Sequence, residues 1–239
     1  MLKSNIIYKA NACSQALRRK AREGIIPVIP DIKLFSPKEG NLMRGRNPVD
    51  YALLMENAGA PVISVVTEYE HFGGSLKLLE KISEVVTVPI LRKDFITTKG
   101  QIKDSKSAGA DAVLLIVSML EIKSLKEIIE FTLMNDLEPV VEVHNENELK
   151  MIEEFNLSII GINNRNILKY ETDDGNISTT ELLGKYKKNN VFLLSESSIM
   201  NKDDVKRAIS AGADGVLVGT SILQAADPVI KYKHLAYPL

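Results

Sequence analysis

A single cysteine, Cys13, leaves no internal disulfide to hold the chain. Its 239 residues carry 30 Lys and Arg against 31 Asp and Glu, a net charge of -1, so the positive excess of a nucleic-acid-binding surface is missing and any anion site must be local. No apolar run approaches the ~18 residues of a membrane span. Charge and polarity interrupt the opening MLKSNIIYKANACSQ, which does not read as a secretory signal. The three histidines, His71, His144 and His234, show no metal-ligand spacing with one another or with Cys13. No Pro/Gly/Ser-rich linker divides the chain. These absences predict a cytoplasmic protein with no membrane or nucleic-acid partner and no metal. With 45% hydrophobic and 26% charged residues, the composition is that of a globular fold and excludes disorder, collagen and coiled coil.

What is present is repetition. Short runs of Val, Ile and Leu recur as IIPVIPDI (25–32), PVISVV (61–66), VPIL (88–91), AVLLIV (112–117), PVVEV (139–143), SIIGIN (158–163), VFLL (191–194) and GVLVG (215–219). They are continuous rather than alternating, as strands buried on both faces of a parallel sheet require. Segments of helical period separate them, at 47–60, 100–110, 120–136 and 201–213. The phrases NAGAPVISVV, SAGADAVLLIV and SAGADGVLVG place Gly59, Gly109 and Gly212 where a helix closes in a left-handed residue, and Asn156 is expected to do the same after the fifth helix. At about 30 residues per strand-and-helix unit, the length accommodates eight units. We therefore expect an α/β single-domain (β/α)8 TIM barrel over 25–239 with an N-terminal helical extension over 1–24; periodicity alone leaves an open parallel sheet as the alternative.

In such a barrel, chemistry sits at the C-terminal strand ends. Asp31, Lys33 and Ser36 follow the first strand, Thr67 and Glu68 the second, and Arg92, Lys93 and Asp94 the third. Glu142 lies inside the fifth with His144 beyond it; Asn163, Asn164 and Arg165 end the sixth, and Ser195, Glu196 and Ser197 the seventh. Charges within apolar strands lose hydration unless paired, so Lys33, Lys93 and Glu142 should meet each other or a ligand; the competing reading is solvated strand ends. Phe72 and Phe95 are candidates for an aromatic-binding wall or for ordinary packing. The small residues of SESS and of Gly219-Thr220-Ser221 are suited to offering backbone N–H groups to a phosphate, although Ser197 and Ser198 are equally able to cap the next helix. Lys93 has two candidate roles, acid or Schiff-base nucleophile.

The segments DIKLFSPKEGNL (31–42), ISVVTEYEHFGGS (63–75), PILRKDFI (89–96), GADAVLLIV (109–117), VVEVHNENEL (140–149), IGINNRNIL (160–168), SESSI (195–199) and GVLVGTSIL (215–223) together resemble the indole-3-glycerol phosphate synthase family of tryptophan biosynthesis. The resemblance covers nearly the whole chain from about residue 25. It implies closure of an indole ring in 1-(2-carboxyphenylamino)-1-deoxyribulose 5-phosphate, with loss of carbon dioxide and water and without cofactor. By the same resemblance Lys93 is the general acid and Glu142 handles protons, while Lys33 and Ser36 hold anionic parts of the substrate. Asp31, Asn163, Glu196, Arg165 and Ser197 complete the pocket. Phe72, Phe95, Leu114 and Ile167 seat the anthranilate ring, and Ser198, Gly219 and Thr220, with Lys33, hold the phosphate. The implied partner is a small sugar phosphate carrying an anthranilate group, with association with other tryptophan-pathway enzymes.

Four departures from that family stand out. Asp31 replaces a glutamate, Leu34 and Phe35 follow Lys33 where another cation is usual, Ser198 replaces a glycine, and the segment before the first strand is shorter. They leave room for a diverged barrel acting on a related sugar phosphate, or for a non-catalytic phosphate-binding scaffold.

Overall fold

The computed structural model describes residues 11–165 and 176–237. Eight parallel strands close into a barrel: β1 (Val28–Ile32), β4 (Ile63–Val66), β5 (Ile90–Lys93), β6 (Ala112–Ile116), β7 (Glu138–Val143), β8 (Ile159–Asn163), β9 (Phe192–Glu196) and β10 (Gly215–Val218). The pairing of β1 with both β4 and β10 makes it a closed barrel and disposes of the open sheet. Two short strands, β2 (Phe35–Ser36) and β3 (Gly40–Asn41), form an antiparallel hairpin in the loop after β1, which the apolar pattern does not reveal.

Each expected apolar run overlaps one barrel strand. β5 and β9 extend beyond their runs, so that Lys93 and Glu196 belong to the strands themselves, as Asn163 does to β8. The helices are α1 (Ala12–Arg22), α2 (Pro48–Asn57), α3 (Leu76–Ser83), α4 (Lys99–Ser107), α5 (Ile122–Met134), α6 (Glu146–Met151), α7 (Ser178–Leu183), α8 (Lys202–Ser210), α9 (Thr220–Leu223) and α10 (Pro228–Ala236). Left-handed glycines do close α2, α4 and α8, at Gly59, Gly109 and Gly212. Asn156 does not adopt that state. Among the described non-glycine residues after a helix it falls to Asp136, following α5, because a carboxylate tolerates the left-handed region nearly as well as an amide does.

Buried apolar side chains sort into two clusters. One, including Val65, Val113, Val141 and Ile162, lies between the barrel and its helices. The other, including Ile29, Leu91, Leu114, Val140, Leu194 and Leu217, fills the cylinder. Alternate residues of a strand face opposite ways, so every second position of a barrel strand looks inward. At the N-terminal end the cylinder is stopped by α1, whose Cys13, Ala16 and Leu17 join the interior cluster. The expected extension is thus a plug over the part described. The first residue of β7, Glu138, is fully buried beneath it and accepts the Ser14 N–H at 3.0 Å, standing in for the side-chain cap that Asn11 does not make. Opposite α1, the strands open onto the charged residues.

Candidate active site

Inward positions one layer above the apolar filling carry the ionisable groups. Leu91 is followed two residues later by Lys93, Val140 by Glu142, and Leu194 by Glu196. Barrel closure brings them together: Lys93 Nζ lies 3.3 Å from Glu142 Oε2 and 3.1 Å from Glu196 Oε2. Both carboxylates are buried, whereas the lysine side chain keeps 20% of its surface exposed. Asn163 Nδ2 donates to Glu142 Oε1 at 3.0 Å. Asp31 accepts from Ser64 Oγ at 2.6 Å on the neighbouring strand. The intervening residue Arg92 faces the other way, bonded to Thr67, Asp94 and Ser105 between barrel and α4. Arg92 and Thr67 are therefore structural, and the expectation that strand-end charges share one pocket holds only for inward positions.

Burial lowers the Lys93 pKa, but Glu196 and Glu142 raise it by more, and the ammonium is held. For this lysine pairing outweighs burial. Glu142 experiences the reverse balance: burial raises its pKa, and Lys93, His144 and Asn163 bring it well below the carboxylate range. Glu196 is pushed up to about 7, chiefly by burial, which the pull of Lys93 does not offset beside the like charge of Glu142. Its Oε1 has no hydrogen-bond partner among the described residues.

Two neighbouring compartments open from this cluster. Phe72, Phe95, Leu114 and Ile116 give the first an apolar wall, and Lys93, Glu142 and Asn163 its polar edge. The second is walled by Ser198, Ile199, Gly219, Thr220 and Ser221. Asp31, Lys33, Lys93, Arg165 and Ser197 line both. Lys33 Nζ stands 5.5 Å from the Phe72 ring centroid, and Arg165 Nε donates to Ser198 Oγ at 3.4 Å. Ser36 is buried in the hairpin and belongs to neither wall. Ile167 and the charge-rich 168–175 lie outside the described residues.

Ser197 and Ser198 both adopt left-handed backbone, at φ 67° and 59°, a conformation that costs a residue with a Cβ about 1 kcal/mol or more. They do not cap α8; Asn201 does, through a capping box with Asp204. Gly219 precedes α9, and a Cβ there would come within 3.2 Å of Asp31 Cβ, so glycine lets the two strands' ends approach.

Two residues that shape the site were given no role in it from sequence. His144 Nε2 lies 3.2 Å from Glu142 Oε1; its position two residues beyond a buried carboxylate, on the same strand face, was the available signal. Gly161 leaves the space that Glu196 fills, since a Cβ there would stand 2.1 Å from Glu196 Oε1; a lone glycine inside an apolar strand is the corresponding signal. The histidine spacing also overlooked that Glu68, Glu70 and His71 bring possible metal-ligating atoms within 4.8 Å. Glu68, however, spends its carboxylate on the N–H groups of Glu70, His71 and Phe72 in its own loop.

A closed parallel barrel whose C-terminal mouth buries a lysine between two glutamates is the architecture of a (β/α)8-barrel enzyme. The sequence profile of indole-3-glycerol phosphate synthase matches residues 3–235. The chain belongs to that family. It is 43% identical to the indole-3-glycerol phosphate synthase of Pyrococcus furiosus over 88% of this chain and 90% of that protein, and 40% identical to that of Thermococcus kodakarensis over 90% and 92%. The Halalkalibacterium halodurans enzyme of the same name is 37% identical over 98% of this chain and 90% of its own. Among solved structures, the N-acetylmannosamine-6-phosphate 2-epimerase from Clostridium perfringens superposes with a TM-score of 0.63, covering 82% of this chain and 86% of that one; at 15% identity the likeness is one of fold.

Proposed function

We propose that this protein is an indole-3-glycerol phosphate synthase, closing the indole ring of 1-(2-carboxyphenylamino)-1-deoxyribulose 5-phosphate with loss of carbon dioxide and water in tryptophan biosynthesis. The observation that carries this reading is a lysine ammonium held between two buried carboxylates at the junction of an aromatic compartment and a small-residue compartment. The anthranilate ring occupies the Phe72, Phe95 and Leu114 side. The phosphate occupies the Ser198, Gly219 and Thr220 side, with Lys33 and Arg165 at the boundary as counter-charges.

Lys93 gives its proton to the ribulose carbonyl oxygen as the aryl carbon attacks the carbonyl carbon. Carbon dioxide then departs and its bonding electrons restore the aryl ring; a second proton, delivered from Lys33 at the same rim, lets the hydroxyl leave as water, and Glu142 takes the proton lost from the adjacent carbon as the double bond forms. Pairing with Glu196 and Glu142 keeps the proton on Lys93 and so opposes its release, which then depends on the charge that builds on the carbonyl oxygen; the same pairing disfavours the Schiff-base role, which needs a free amine. Glu196 and Asp31 hold Lys93 in place, and Asn163 orients Glu142. Ser197 lines the junction, while Ser36, buried and lining neither compartment, supports the hairpin after β1. The proposed chemistry calls on no metal or organic cofactor. Among the described residues no helix is long and apolar enough to cross a membrane. A cytoplasmic setting, and association with other enzymes of the pathway, belong to the same reading.

The test is direct. Purified protein incubated with the carboxyphenylamino-deoxyribulose phosphate should develop indole fluorescence. Tight binding without product would make it a scaffold, and neither binding nor product would mark a different sugar phosphate.

A further inference from the structure

We propose that His144 is a positioning residue for Glu142, pinning one carboxylate oxygen away from the reaction so that the other is presented beside Lys93. The inference rests on the reading of Glu142 as the proton-handling group. The two oxygens of Glu142 have different company. Oε1 receives Asn163 Nδ2 at 3.0 Å and lies 3.2 Å from His144 Nε2, whereas Oε2 faces the Lys93 ammonium at 3.3 Å.

The far side of the imidazole is fixed as well. Glu148 Oε2, from the first turn of α6, accepts the His144 backbone N–H at 2.8 Å and lies 3.2 Å from Nδ1. Asn145 Nδ2 donates to Glu148 Oε1 at 2.6 Å and holds that carboxylate in turn. The chain Asn145, Glu148, His144, Glu142 thus runs from the start of α6 to the cluster at the barrel mouth.

Proton accounting gives this geometry a consequence. An ionised Glu148 has only lone pairs to offer, so Nδ1 carries a hydrogen. Nε2 approaches Glu142 Oε1 to 3.2 Å without the alignment of a hydrogen bond, so the ring meets this carboxylate as one charge of an ion pair. The charged groups facing the ring are Glu142 from β7 and Glu148 from α6, with Lys93 of β5 behind Glu142. Burial disfavours the charged ring, yet the carboxylates of Glu142 and Glu148 on its two sides outweigh that and push its pKa up to about 9. The clamp persists through neutrality and is lost above that range.

The experiment compares wild type, His144→Ala and His144→Gln in full-length protein, measuring kcat and KM for indole formation across pH. His144→Ala should lower kcat about 10²-fold, the scale of a misplaced catalytic group, with little change in KM. Glutamine keeps an N–H donor without a titrating charge. His144→Gln should therefore recover most of kcat and lack the wild type's fall in rate above pH about 9. Wild-type rates in His144→Ala, or an alkaline limb unchanged in His144→Gln, would overturn the assignment.

A second measurement needs no turnover. By NMR the His144 ring should titrate near 9 and drop toward the ordinary value of about 6.5 in Glu142→Gln. No drop refutes the coupling even if indole forms. A drop in a protein that makes no indole supports the coupling and removes the synthase reading alone.

Discussion

Glu138 and Glu142 share one strand, one inward face and nearly complete burial, yet the two ends of the barrel treat them oppositely. At the mouth, Lys93, His144 and Asn163 overcome burial and hold Glu142 as a carboxylate. At the plugged end, burial dominates: Glu138 is raised above the usual carboxylate value because its hydrogen bonds from Ser14 and Cys13 do not match what water supplied. Cys13 beside it is likewise pushed up, by burial first and then by Glu138 and Asp111. Depth therefore does not determine charge; the partners at that depth do. One end gathers paired ions at an open mouth, and the other uses a buried acid to fasten a helix.

The largest effect that would break this contrast is expected at the mouth. Lys93→Ala should lower kcat by about 10³-fold or more while leaving substrate affinity largely intact, since a general acid acts in the transition state. Equal losses in affinity and rate, measured by titration and steady-state kinetics, would remove Lys93 from that role.

Next comes the pair itself. Glu142→Ala should cost turnover about 10²-fold. Glu138→Ala should instead leave kcat unchanged and lower stability by about 1 kcal/mol, as loss of a helix cap does. Urea unfolding and rate assays on both variants distinguish the two ends. A pH series sharpens the result. Because the folded pKa of Glu138 is raised, the unfolded chain gives up this proton first, so its contribution turns increasingly unfavourable as pH climbs through the ordinary carboxylate range. Glu138→Gln should therefore gain stability relative to wild type between about pH 4 and neutrality; a difference constant with pH would contradict the assignment.

A smaller effect is expected where space rather than charge is tested. Gly161→Ala places a methyl in the volume of the Glu196 carboxylate, costing about 1–3 kcal/mol and loosening the hold on Lys93, with kcat falling alongside the melting temperature. Unchanged melting and turnover would mean that Glu196 moves freely. Ser198→Gly should be mildest. Release from the left-handed backbone is worth about 1 kcal/mol, against a hydrogen bond from Arg165 that is long at 3.4 Å. Substrate binding should persist or tighten; a large loss would give the hydroxyl a contact of its own.

Much of the fold was legible because its cause is local. Strands covered on both faces need unbroken apolar runs, and helices that turn at once into a strand need glycine, so both leave marks in order along the chain. The hairpin after β1 left none, being too short and too exposed for a pattern. Lys93 and Glu142 were legible as charges that apolar strands should not carry alone. Arg92 carries the same mark but faces α4, and only strand phase separates it from its neighbour. His144 and Gly161 were visible as residues without being visible as parts of the site, since their significance lies in atoms of Glu142 and Glu196.

By itself the sequence determined the order of eight strands, where the chain reverses, and which strands end in charge, because burial and backbone sterics act over a few residues at a time. Tertiary structure alone decided which charges meet. Closing the cylinder brings Lys93 against partners 49 and 103 residues away, sets α1 under Glu138, and bends Ser197 and Ser198 into a conformation their side chains resist. Electrostatic partnership depends on distances of a few ångströms through space, and a linear chain does not encode those until it closes on itself.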